Sequence, residues 1–403
     1  MSGLPLVGWH AGNCRVIDNV DWRIMAAVHP ELFCYLTGEF IGEEELKRIK
    51  AQVPGGEIVP RPYYVPQPYS IQAIDQYIDQ CCAALDVALR VYLPERIHLK
   101  AFNEPNQPSW AQWEGFGDTA DDQRRYNEAF VRLAEAIHRH APGVKVQVLS
   151  LTDYRDVRCP GDDPNVPYWV HGPDGTAETC LVKDAIMVAD EIGGHVYIHR
   201  RDHQPADASA ANVTSIYYGL RYQQIHRLWP TKPIYLTEAG YPNPSKWEDI
   251  AGRRIREWLW HVAQDPYVKG VCLWMLGRDM GHNGHWRVGS DPAPQVYEVA
   301  GWRDDVKQGD PIEWPEPGLP SPLPPLTASY IEWSRFFRLR LNPGAALRQA
   351  IVAAKQQVAG DEFSASPQGA RQYGYDPEKN KWFLWEWVPG QPCRVVFSEE
   401  AAR

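Results

Sequence analysis

No stretch of this 403-residue sequence approaches the roughly eighteen consecutive apolar residues that a bilayer-crossing helix needs. Lys and Arg never cluster into a basic block and the net charge is −10, so the usual electrostatic basis for binding nucleic acid or an anionic membrane is missing. Also absent are a glycine-rich phosphate loop, an HExxH pair and a G-x-S-x-G elbow, which leaves nucleotide-dependent, metalloprotease and serine-esterase chemistry without their working parts. The eight cysteines include no CxxC pair. They read mostly as buried free thiols, with Cys81 and Cys82 adjacent on a helix; Cys159 and Cys180 flank one Pro-, Gly- and Asp-rich loop and would pair only in an exported protein. The first expected strand begins almost at Met1 and leaves no room for a signal peptide, so a cytoplasmic location is expected for the chain as given, and a secreted one if it is a trimmed mature form.

What is present is an alternation. Apolar runs bounded by turn residues alternate with stretches of helical period, the pattern of βα units on a parallel sheet. Eight units can be counted, with strands expected over 4–9, 32–36, 57–64, from Ile97, 144–149, 194–199, 233–238 and 271–275. The expected fold is therefore α/β, a (β/α)8 TIM barrel of about 250 residues plus insertions. It would fill residues 1–343, including a Gly/Pro/Asp-rich spacer or overlying loop over 277–326 that is not helical. Residues 344–403 would form a C-terminal helix and a small β appendage, preceded by a last barrel helix over 330–341. Further helices are expected over 212–228 and 247–264.

Two strand ends carry the chemistry. Ile97-His-Leu-Lys-Ala-Phe-Asn-Glu-Pro-Asn106 is an apolar strand that stops at an amide, a carboxylate and a proline; Pro233-Ile-Tyr-Leu-Thr-Glu-Ala-Gly-Tyr-Pro242 repeats the arrangement with Glu238. Barrels place their chemistry at such C-terminal strand ends. Taken singly, Glu104 or Glu238 is as readily a salt-bridged strand end; two carboxylates on one cleft are what glycosidic bond cleavage requires, one to protonate the leaving oxygen and one to attack or to activate water.

Asn103-Glu104-Pro105 closing one strand and Thr237-Glu238-Ala239-Gly240 closing a later one resemble the clan A retaining glycoside hydrolases, across roughly the first three quarters of the chain. The resemblance implies that Glu104, ending barrel strand four, is the acid/base and Glu238, ending strand seven, the nucleophile. It further implies that Asn103 hydrogen-bonds the sugar 2-hydroxyl, that Arg61 lies near the nucleophile, that His199 ends strand six close to the sugar, and that Trp274 floors the cleavage subsite. Each of the last three has a plainer alternative: Arg61 as a surface residue of a Pro-rich loop, His199 as a hydrogen-bonded core histidine on a face shared with His195 and Tyr197, Trp274 as a packed barrel residue. Aromatic residues in expected loops beside the glutamates, Trp110, Trp113, Tyr241, Trp247 and Trp286, offer flat faces for sugar rings or simply pack.

The implied activity is hydrolysis of O-glycosidic bonds in a glycoside, oligosaccharide or polysaccharide, with no cofactor and no metal. His282 and His285 near Asp279 lack a third ligand on a rigid element, and His199 to His203 is a polar loop. A catalytically inactive carbohydrate-binding or scaffold protein on the same barrel, or a transglycosylase using the same residues, are the alternatives.

Overall fold

A computed structural model describes residues 4–12, 17–37, 41–62, 71–106, 116–151, 168–198, 213–214, 216, 218–240, 251–274, 276, 286–288, 291–309, 370–376, 381–387 and 394–398. The chain divides into two compact units, Met1–Ile312 and Glu313–Arg403. The boundary expected at 343/344, the helix expected over 330–341 and the C-terminal helix lie outside the described residues.

Eight strands of the first unit form its main sheet: β1 Leu6–His10, β2 Leu32–Leu36, β3 Glu57–Arg61, β4 His98–Lys100, β5 Lys145–Leu151, β6 Glu191–Tyr197, β7 Ile234–Gly240 and β8 Val268–Trp274. All pair in parallel, in the order β3-β2-β1-β8-β7-β6-β5-β4, and a bridge between Ile58 and Ile97 brings the two edges together. The sheet is a nearly closed (β/α)8 barrel. Helices α1 Asn19–Val28, α2 Glu43–Gln52, α3 Ile71–Leu89, α4 Ala120–His140, α5 Lys183–Val188, α6 Tyr222–Leu228 and α7 Ala251–Val262 lie between successive strands.

The longer helices are built on an apolar stripe, and α4 adds a start signal. On α4, Thr119 caps the first turn in a reciprocal box with Asp122, while Tyr126, Phe130, Leu133 and Ile137 face the sheet and Pro142-Gly143 ends the run. On α3 the buried positions are Ile74, Tyr77, Cys81, Leu85 and Ala88. This helix-to-sheet layer is the main core. A smaller cluster, Leu6, Leu32, Cys34, Val59, Tyr235 and Cys272, fills the barrel lumen; strand alternation puts Arg61 on the face of Val59 and His10 on that of Leu6. Among the described residues no helix is long and apolar enough to cross a membrane.

Several expected bounds shift for physical reasons. Strand β4 stops at Lys100, and Phe102 instead packs against Tyr77, Phe116 and Tyr126. Strand β6 starts at Glu191, because Gly193-Gly194 is part of the strand rather than a turn: a Cβ on Gly193 would sit 2.3 Å from Ser150 Oγ. Of the helix expected over 212–228, the described residues include α6, a helical Val213 and turns at 214, 216 and 218–221.

The segment 277–326 is not without helix, contrary to expectation. After the two-residue antiparallel pair β9 Arg287–Val288 and β10 Asp291–Pro292 come α8 Pro294–Ala300 and α9 Trp302–Gln308. Pro294 serves as a helix-starting residue, and Val296, Val299 and Trp302 are buried at helical spacing; averaging composition over the whole segment conceals this. Arg287 ties the segment to the start of α1, donating to both carboxylate oxygens of Asp18, which it holds down to about pKa 2.

The second unit holds a three-stranded antiparallel sheet, β11 Ala370–Asp376, β12 Lys381–Trp387 and β13 Arg394–Ser398, in the order β11-β12-β13.

At the N-terminal mouth of the barrel, His98 lies between Glu57 and Glu191, with Nε2 2.9 Å from one carboxylate and Nδ1 2.9 Å from the other, under the ring of Tyr235. Burial works against its charge, but Glu191 and Glu57 outweigh burial and raise its pKa to about 9. A pKa raised above its unfolded value contributes stability that is complete below about pH 6.5 and fades as pH rises through about 9. His98→Leu strands two carboxylates without their cation and is expected to cost about 3–5 kcal/mol in urea unfolding at neutral pH. The cost should shrink when both proteins are compared above pH 9; an unchanged urea midpoint would remove the buried pair from the account of stability.

Candidate active site

The opposite end of the barrel gathers the charged residues. Glu238 is the fifth residue of β7 and lies opposite His195 of β6, where the pairing slips by one residue. The slip turns both side chains to the lumen. Glu238 is 4% exposed, yet both its oxygens are bonded: Lys100 Nζ donates to Oε1 at 2.8 Å and the Tyr197 hydroxyl to Oε2 at 3.0 Å. His195 Nε2 and His10 Nε2 stand 3.3 and 3.6 Å from Oε1. The Gly12 N–H donates to His10 Nδ1 at 2.8 Å, which leaves Nε2 turned towards Glu238 as the nitrogen that can donate.

Burial pushes the Glu238 carboxyl up, but the surrounding groups, the Lys100 and Arg61 cations among them, hold it well below the usual carboxylate range. The group is an anion at neutral pH. Burial also drives His195 well below the ordinary histidine value, against the pull of Glu238 and with Lys100, His10 and Arg61 adding to the depression. The imidazole is therefore neutral. Lys100 Nζ lies 2.9 Å from His195 Nε2, and an ammonium only donates, so Nε2 carries the lone pair and Nδ1 the proton. That Nδ1–H reaches Glu104 Oε1 at 3.0 Å.

Glu104 is held by strain as well as by His195. Its φ is +47°, and its N–H donates to the carbonyl of Ser150 at 3.0 Å, where β5 is itself irregular, with φ of +77° at Leu149 and +48° at Ser150. Side-chain-bearing residues in this region cost about 1–2 kcal/mol each. The strained backbone sets Glu104 at the rim of the lumen, more accessible than Glu238. One carboxylate oxygen of Glu104, one ring nitrogen of His195 and one oxygen of Glu238 all lie within 4.8 Å of one another. Such a set can hold a divalent ion, but here the Lys100 ammonium, bonded to both His195 and Glu238, supplies the positive charge.

The other expected residues fall in three groups. Asn103 is buried beside Glu104, its Oδ1 without a hydrogen-bond partner among the described residues; Arg61 ends β3, buried, its charge felt at both Glu238 and His195; Trp274 ends β8, half-buried, its ring 4.6 Å from that of His10. Trp286 is not a sugar platform: it is 1% exposed and packs edge-on against Trp9. His199, Trp110, Tyr241, Trp113, Trp247 and the residues 279–285 lie outside the described residues, as does Cys159, while Cys180 is a free buried thiol. Sequence reading passed over Lys100 and His10 and preferred His199 to His195; the available signals were a lysine inside a buried strand and a His-x-Tyr pair on one strand face.

No protein-family model and no curated protein matches the sequence. Solved structures do match the fold. The chain superposes on the endo-β-1,4-mannanase of Thermotoga petrophila with a TM-score of 0.50 at 13% identity, covering 78% of this chain and 79% of that one. For XacCel5A in complex with cellopentaose the TM-score is 0.52 at 13% identity, over 74% and 99%. This chain shares the (β/α)8 barrel fold of these solved structures. The endo-1,4-β-mannanase of Rhizomucor miehei matches the same barrel, with a TM-score of 0.50 at 11% identity over 76% and 99%.

Proposed function

We propose that the protein is a retaining glycoside hydrolase acting on O-glycosidic bonds, with Glu238 as nucleophile and Glu104 as acid/base. The observation that carries the reading is the approach of the two carboxylates to within 4.8 Å. Retention needs carboxyl groups about 5–5.5 Å apart, whereas inversion needs about 6.5–9.5 Å to admit water. The asymmetry of environment supports the assignment of roles. Glu238, ionised and encircled by donors, is the group able to attack; Glu104, at the rim, is the group that solvent and a leaving oxygen can reach.

In the first step a Glu238 oxygen bonds to the anomeric carbon as the glycosidic C–O bond breaks, and the proton of Glu104 goes to the departing oxygen. In the second, Glu104 takes a proton from water, whose oxygen displaces Glu238 from the same carbon. His195 Nδ1–H stabilises the carboxylate that Glu104 becomes between the steps. Asn103 offers the 2-hydroxyl a partner, as an amide whose buried Oδ1 has no hydrogen bond among the described residues. Neighbours that are by name mannanases, or hold cellopentaose, suggest β-1,4-linked glucans and mannans as the first substrates to offer.

A panel of aryl glycosides and soluble polysaccharides, followed by proton NMR of the first product, tests the proposal. Release of the retained anomer is expected. The inverted anomer would displace the double-displacement mechanism, and intact glycans after long incubation would favour a binding or scaffold role.

A further inference from the structure

Lys100 is a lysine in the floor of a site that the mechanism above can be written without. It lies on β4, four residues before Glu104, and its side chain is wholly buried. A buried ammonium is costly unless hydrogen-bonded to an anion, and this one makes two contacts: Glu238 Oε1 at 2.8 Å and His195 Nε2 at 2.9 Å. We propose that Lys100 is a positioning residue that couples the two carboxylates, holding Glu238 ionised and locking His195 as the Nδ1–H tautomer that faces Glu104. The proposal rests on the glycosidase reading for its consequence but on geometry for its substance.

The coupling follows from donor and acceptor capacity. Lys has three protons to give and nothing to accept with, so any neutral imidazole facing it must present a lone pair at Nε2 and its proton at Nδ1. Were Lys100 absent, the ring would be free to take the other tautomer and donate Nε2–H to Glu238 Oε1, 3.3 Å away, leaving a bare Nδ1 lone pair against Glu104. One side chain thereby sets what both carboxylates see. The neighbours that share this work are Arg61 from β3, His10 from β1 and the Tyr197 hydroxyl from β6, all facing Glu238. The charge of Lys100 is also felt at the buried thiols of Cys34 on β2 and Cys272 on β8. Lys100 is the cation that contacts Glu238 and His195 together, at 2.8 and 2.9 Å.

Two experiments test this. In the first, the acid limb of kcat/KM against pH is compared for wild type, Lys100→Met and Lys100→Arg. Lys100→Met is expected to move the limb upward by at least about one pH unit, since a lost neighbouring cation raises a carboxylate's pKa by about 1–3 units; Lys100→Arg, which keeps the charge, should restore it. An acid limb that stays in place in a folded Lys100→Met enzyme would reduce Lys100 to a packing residue. The second needs neither turnover nor a variant: 15N NMR of the histidine rings in the full wild-type chain at neutral pH. His195 should appear neutral with its proton on Nδ1; a charged ring, or a proton on Nε2, overturns the proposal. Because this measurement is independent of substrate, loss of the glycosidase reading and loss of the Lys100 assignment give different results.

Discussion

Glu238→Ala is expected to lower kcat by about 10⁵-fold or more, as removal of an attacking group does in other covalent mechanisms, and sodium azide is expected to restore part of the turnover with inversion of configuration. The structure gives the reason for both halves. Removing the carboxylate leaves Lys100, Arg61, His10, His195 and the Tyr197 hydroxyl converging on a vacancy the size of a small anion. Azide bound there attacks the anomeric carbon from the face Glu238 used, in one displacement instead of two, so the product is the glycosyl azide of opposite configuration. The same vacancy predicts a stability signature: an uncompensated buried cation costs about 3–5 kcal/mol, and azide should recover part of it. Differential scanning fluorimetry with and without azide reads this without any substrate. Retained activity in Glu238→Ala, or a rescued product of unchanged configuration, removes Glu238 from the nucleophile's place.

The barrel was legible because its signals are local. Apolar strands alternate with helices of clean periodicity, and Asn103-Glu104-Pro105 and Thr237-Glu238-Ala239-Gly240 announce strand ends by their own residues. The surroundings of the two glutamates were not, since they are assembled from afar. Lys100 meets His195 and Glu238 at separations of 95 and 138 residues, and nothing in its own strand says which side chains it will find. His195 was obscured differently: alternation groups it with Tyr197 and His199, and only the slipped pairing between β6 and β7 makes His195 the residue opposite Glu238. The strain at Glu104 and the irregular β5 that accepts its N–H leave no mark in either sequence stretch.

Glu104→Gln is the complementary substitution, and the His195 contact makes it a clean one. The amide oxygen of Gln can still accept the Nδ1–H of His195, so the side chain stays in place and stability should change little. What is lost is the proton. General acid–base assistance is worth about 10²–10⁴-fold, and kcat on a polysaccharide or an alkyl glycoside should fall by that amount. The loss should depend on the leaving group. A dinitrophenolate departs without protonation, so the first step survives while the second, which needs Glu104 to take a proton from water, becomes rate-limiting. A burst of phenolate followed by a slow steady state is therefore expected in rapid-mixing measurements, along with a lowered KM as the glycosyl-enzyme accumulates. Azide should accelerate this variant as well, because an anionic nucleophile needs no base. Here, however, it attacks the covalent intermediate on Glu238, the second displacement of two, and the glycosyl azide must have retained configuration. Opposite stereochemistry from the same anion in the two variants is what distinguishes an acid/base at residue 104 from a nucleophile at residue 238; the same product from both would mean that the roles have been misassigned.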